Sequence, residues 1–145
     1  IFNNLRKLTV FDSPTLVLSP LRQLTKLTSL TLSQIPAIDY LPIAGLIELV
    51  ELDLSNTGIE GVAALIKLTN LKKLNLSGTN IKSLKGLETL GKLEELDIAS
   101  TDLRSLKALE DIMGLKKLTC FNTRLTPRIV NSFKESFPKC EVRYY

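Results

Sequence analysis

Six segments of the chain fall into register when it is cut every 22 residues: LRKLTVFDS from Leu5, LTSLTLSQI from Leu27, LVELDLSNT from Leu49, LKKLNLSGT from Leu71, LEELDIAST from Leu93 and LKKLTCFNT from Leu115. No insertion or deletion interrupts the step. The shared unit reads L-x-x-L-x-x-L-x-L-x-x-T-x-I-x-x-L-x-x-L-x-x. A fixed period of this size demands a solenoid, because so short a unit cannot bury its own apolar residues and must cover them with the next copy.

Within the unit, the L-x-L alternation is a strand and the apolar residues spaced by three are not. Leu8/Val10, Leu30/Leu32, Leu52/Leu54, Leu74/Leu76, Leu96/Ile98 and Leu118/Cys120 point inward and stack from coil to coil, so the strands pair in a parallel sheet. Residues such as Leu84, Leu87 and Leu90 suit short 3₁₀-like or extended turns on the opposite side. Thr57, Thr79, Thr101 and Thr123 stand where the chain leaves each strand, with Ser13 in the first coil and Ile35 as the exception. A hydroxyl there can bond backbone groups of the turn that would otherwise be buried without partners, a structural role.

The end of the chain breaks the pattern with a helix. TPRIVNSFKESF offers Thr126 as N-cap and Pro127 at the first helical position, with Ile129, Val130, Phe133 and Phe137 on one face. Phe137, Cys140 and Val142 then continue the columns of Leu5, Leu8 and Val10, which makes FPKCEVRY a seventh strand in the same register. Residues 1–125 thus carry the six repeats, and residues 126–145 a capping helix and closing strand. Ile1, Phe2 and Leu5 enter the repeat without a comparable cap, Phe2 falling in the column of Leu24, Leu46 and Leu68. The expectation is that upstream residues cover this end, or that it associates end-on with another copy.

The unit resembles the leucine-rich repeat family, in its 22-residue subclass found in a yeast phosphatase regulator and in bacterial internalins. VLSPL (Val17 to Leu21) and DYLPI (Asp39 to Ile43) look like the internalin turn segment, whereas GVAAL, SLKGL and SLKAL depart from it. FNTRLTP…SFPKCEV looks like the closing segment of some bacterial leucine-rich proteins. The resemblance implies an α/β solenoid, a right-handed superhelix whose parallel concave sheet of about seven strands binds another protein. It also points towards export or a bacterial cell surface.

Composition argues against chemistry. There is no His and no Trp, and no Gly-rich phosphate loop, CxxC, HExxH or G-x-S-x-G motif. Glu51/Asp53 and Glu95/Asp97 pair carboxylates on one strand, but in solvent nothing would shift them into the range acid–base work needs. No enzyme activity, cofactor or metal is expected. A net charge of +4 and a pI near 9.1 fall short of a nucleic-acid binder, so nucleic acid is not an expected partner. No apolar run is long enough for a membrane span. Cys120 and Cys140 occupy inward columns at different levels of neighbouring strands, too far apart to bridge; two buried, unpaired thiols favour a reducing compartment, against the exported location that the resemblance suggests.

The outward columns hold the candidate binding residues. One reads Lys7, Ser29, Glu51, Lys73, Glu95, Lys117, Lys139, a ladder whose alternating signs neutralise one another. The next reads Thr9, Thr31, Asp53, Asn75, Asp97, Thr119, Glu141, and the third Phe11, Ser33, Ser55, Ser77, Ala99, Phe121, Arg143. Exposed aromatics and unmatched charges are interface anchors, so the predicted partner-binding set is Phe11, Thr31, Asp53, Asn75, Asp97, Thr119 and Phe121. The competing readings place Phe121 under the cap helix and Phe11 against upstream coils. A second candidate is the basic cluster Lys82, Lys85, Arg104 and Lys107 beyond the sheet, which could take an anionic ligand or be a solvated face, with Glu88 and Glu110 close by. The function expected from all this is a non-enzymatic protein-interaction module; the alternatives are a structural segment of a larger repeat protein and an anionic-ligand binder.

Overall fold

A computed structural model describes residues 3–14, 17–37 and 39–145; Ile1 and Phe2, and with them the expectations about the first coil's uncovered end, lie outside the described residues. Seven strands form one parallel sheet in chain order: β1 (Lys7–Phe11), β2 (Ser29–Ser33), β3 (Glu51–Asp53), β4 (Lys73–Asn75), β5 (Glu95–Asp97), β6 (Lys117–Thr119) and β7 (Glu141–Arg143). The chain returns through 3₁₀ turns at Ser19–Gln23, Leu41–Gly45, Leu87–Thr89 and Lys107–Leu109, and before β7 through the helix α1 (Pro127–Ser136). The chain is a solenoid of stacked coils, with the sheet on one side and the turns opposite.

Register follows the sequence period from β1 to β6: Leu8 pairs with Leu30, Leu30 with Leu52, Leu52 with Leu74, Leu74 with Leu96 and Leu96 with Leu118. The last step differs. Leu118 pairs with Val142, not with Cys140, and Lys117 faces Glu141 rather than Lys139. The expected register of the closing strand is therefore wrong by two residues. A helix advances only about 1.5 Å per residue, so crossing the back of the coil through α1 takes more chain than a 3₁₀ turn does.

The inward leucines form one continuous core, from Leu18 to Phe137 among the described residues. Each coil leaves its strand by the same device. Asp12, Gln34, Asn56, Gly78, Ser100 and Asn122 all adopt left-handed backbone, with φ between 52° and 67°. In all of them but Asn122 the N–H group carries the sheet ladder one step past the strand: Asn56 N donates to Ser77 O at 2.8 Å and Gly78 N to Ala99 O at 2.9 Å. One residue later the threonine hydroxyl turns back, Thr57, Thr79 and Thr101 donating to Leu54, Leu76 and Ile98 carbonyls at 2.7 Å and Thr123 to that of Cys120 at 2.9 Å. Where Ile35 interrupts the column, the buried Tyr40 bridges the coils instead, its hydroxyl donating to Ile35 O and accepting from Gly58 N.

At the C-terminal end α1 closes the stack. The Thr126 hydroxyl accepts from Ile129 N, and Val130, Phe133 and Phe137 are buried, with the last two rings stacked 4.5 Å apart. Tyr144 ties the closing segment to the sixth coil by donating to Leu125 O at 2.8 Å.

Candidate functional site

Alternation along the strands delivers the three outward columns to one face, but they do not stand equally proud of it. A groove of about 390 Å³ runs across β2 to β6, with Glu51, Lys73, Glu95 and Lys117 on one side and Thr31, Asp53, Asn75, Asp97 and Thr119 on the other. In the charge column Glu51 and Lys73 are exposed, and Glu95 and Lys117 are half-buried. Lys73 and Glu95 form an ion pair at 3.3 Å, and the true register adds Glu141 opposite Lys117, so the alternation of signs continues to the last strand. Glu141 is itself held by Arg143 at 2.6 Å.

The second column is turned to its own backbone. Asp53 Oδ1 accepts from Ser55 N at 2.8 Å, Asn75 Oδ1 from Ser77 N at 3.0 Å, and Asp97 Oδ1 from Ala99 N at 2.9 Å. Asn75 also donates to Asp53 Oδ2 at 3.4 Å. The three side chains expected to offer unmatched polar groups thus spend one oxygen each on holding the strand end in place, and all are half-buried. Thr31 is half-buried too, and Thr119, also in the predicted partner-binding set, is buried, with Asp97 and Arg143 opposite it on the flanking strands.

The third column sinks in its middle. Ser55 and Ala99 are buried, while Ser33 shares a 3.0 Å hydrogen bond with Ser55. Aromatics rise at its ends: Phe11 is 70% exposed and Phe121 is 41% exposed. Phe121 therefore stays on the surface, not beneath the cap helix. Arg143, expected to extend this column, instead follows Thr119 in the second.

Two stabilising patterns were not anticipated. A further charge ladder, Lys72–Glu94–Lys116, lies beside the sheet at 3.9 and 2.7 Å, and the Lys116 ammonium holds the Glu94 carboxyl below the usual range. The left-handed column was legible as D, Q, N, G, S, N just before each threonine position, residues of which several tolerate positive φ.

Lys82, Lys85, Arg104 and Lys107 do come together, around a second groove of about 440 Å³ on the far side, floored by Leu84 and Ala108. Its acidic neighbours are Glu88 and Asp111; Glu110 lines a different depression against α1. Glu88 folds onto its own turn, accepting from Gly86 N at 2.7 Å, and its carboxyl is lowered first by backbone amides and to a lesser degree by Lys85.

Of the thiols, Cys120 is buried and pushed up to about 11 by that burial, whereas Cys140 is half-exposed, correcting the expectation of two buried cysteines. The two-residue shift of β7 removes Cys140 from the inward column. Among the described residues no cluster of metal-ligating side chains occurs and no helix is long and apolar enough to cross a membrane.

A family model described as leucine-rich repeats in two copies matches residues 47–89 and again 69–111. No curated protein sequence matches the chain. Among solved structures, an internalin of Listeria monocytogenes, InlF, is similar over 92% of this chain and 39% of its own, with 26% identity and a TM-score of 0.82. A leucine-rich repeat protein of Leptospira interrogans is similar over 98% of this chain and 38% of its own, with 25% identity and a TM-score of 0.83. The functional domain of the Listeria protein InlJ, at 17% identity and a TM-score of 0.77, shares the fold. The chain spans about two-fifths of the length of the first two.

Proposed function

The chain is a leucine-rich repeat protein of internalin-like type, and from that premise we propose that it is a non-enzymatic interaction module that holds a protein partner on its concave sheet. The observation that supports this reading most is the groove across five strands, with charges along one side, and beside it the exposed aromatics Phe11 and Phe121 at the two ends of the neighbouring outward column. A protein surface can fill such a trough with side chains, matching Glu51, Lys73 and Lys117 by charge and packing against Phe121. In this reading Asp53, Asn75 and Asp97 shape the trough through their backbone bonds, Asp97 also offers its second carboxylate oxygen to the partner, and Phe11, Thr31 and Phe121 meet the partner directly; Thr119 contributes only to its floor.

The test separates anchoring from architecture. Asn75 fills the same backbone-bonding role as Asp97, so Asp97→Asn removes the charge and keeps the fold. Combined with Phe121→Ala, it should weaken binding of a purified partner about thirtyfold, the equivalent of about 2 kcal/mol. Unchanged affinity, together with loss in a variant altered only at the outer turns, would refute the concave site.

A further inference from the structure

The far-side groove departs from the pairing that the charge ladders show. In those ladders, long polar side chains in adjacent coils meet with opposite sign: Lys72 with Glu94, Glu94 with Lys116, Lys73 with Glu95, and Asp102 with Arg124 at 2.6 Å. At the groove, like stacks on like. Lys82 and Arg104 occupy one column, Lys85 and Lys107 another, because IKSLKGL and LRSLKAL are two copies of one basic turn placed in successive coils. None of the four cations forms an ion pair among the described residues, although Glu88 and Asp111 line the same groove. Glu88 is held back by the Gly86 amide.

The geometry points to a binding site for a compact oligo-anion, a small molecule carrying two or more adjacent phosphate or sulfate groups. Stacked like charges repel, and a multiply charged anion between the two turns relieves that repulsion while forming several charge-assisted hydrogen bonds. Arg104 supplies a planar fork suited to tetrahedral oxyanions, the lysines supply mobile ammonium groups, and Leu84 with Ala108 floors the site. The extent of the charge selects the ligand. One coil earlier the same positions hold Glu60 and Ala63, and one coil later Thr126 and Ile129. The stacked cations are therefore two coils wide, since Arg124 of the next coil is paired with Asp102 and Arg128 lines the separate depression against α1, and no aromatic lines the groove on which a base could stack. A small ligand fits this footprint, whereas a nucleic acid strand would run off it in both directions.

Inositol hexakisphosphate, a sulfated disaccharide and a single-stranded oligonucleotide titrated at low salt distinguish the outcomes. One or both compact anions should bind saturably at one-to-one stoichiometry, and which of them binds tighter identifies the phosphate or sulfate source. Replacing Lys82, Lys85, Arg104 and Lys107 by Gln should weaken this binding by about tenfold or more, and added salt should do the same. Removing an equal charge elsewhere, with Arg22, Lys26, Lys67 and Lys92 all changed to Gln, should leave it within about twofold. Glu88→Gln with Asp111→Asn should strengthen it, since these carboxylates oppose the anion. Absence of saturable binding to wild type would overturn the proposal. So would equal loss in the two charge-removal variants, no gain on removing the carboxylates, or tighter binding of the oligonucleotide.

Discussion

Leu74 lies between Leu52 and Leu96 in the inner row and is 2% exposed, so Leu74→Ala opens a cavity between coils whose spacing the sheet fixes. The expected cost is about 2–5 kcal/mol in denaturant unfolding; a loss below about 1 kcal/mol would contradict the inward assignment. Thr79 is 4% exposed and donates to Leu76 O, so Thr79→Val keeps the shape, strands that carbonyl and should cost about 1–3 kcal/mol. A neutral result would reduce the threonine column to packing. Both roles were legible from the sequence, because a column repeated through the coils averages out local accidents. The bonds of Asp53 and Asp97 to their own backbone were less so: alternation fixes the face a side chain leaves from, not whether it then folds back. The thiols give a third check. Burial raises Cys120 from an ordinary 9.0 to about 11 and is also the leading cause of the rise at Cys140. For Cys120 the folded state holds the proton more tightly than the unfolded chain does. Its contribution to stability is therefore complete below pH 9 and is lost as pH rises from 9 towards 11. At pH 8, iodoacetamide should modify the half-exposed Cys140 well before Cys120, as read by mass spectrometry; equal rates would place Cys120 at the surface.

Among the elements, the six repeats could be read almost strand by strand, whereas the seventh strand could not be placed. Phe137, Cys140 and Val142 are apolar at the right spacing to continue the earlier columns, and an apolar match cannot distinguish a step of 22 from one of 24. What decides is the geometry of α1, which replaces a 3₁₀ turn and consumes two more residues before β7. Backbone nuclear Overhauser contacts should join Lys117 to Glu141 and Thr119 to Arg143. Contacts from Lys117 to Lys139 would restore the uninterrupted period and refute the shift. The shift has an electrostatic consequence as well: it sets Glu141 beside Lys117, where the unshifted strand would have set Lys139, and like charges directly opposite one another destabilise a sheet.

For the whole molecule, periodicity specified a solenoid because each coil buries its apolar rows only against the next. The face that meets a partner is less strongly specified, since the same outward columns serve solubility, ladder neutrality and recognition together. The two grooves divide the surface by chemistry: a sheet-side trough of alternating charge, and a turn-side groove of unpaired cations. The concave site proposed above rests on the first, which crosses five strands. The most direct test of that assignment is site-specific photo-crosslinking. Benzophenone side chains are introduced singly at Thr31, Ser77 and Lys117 on the concave side and at Lys67, Lys92 and Met113 on the turns, and each variant is irradiated with the purified partner. Strong adducts from the three concave positions and none from the turn positions are the predicted result. Adducts arising only from Lys67, Lys92 or Met113 would contradict the concave site.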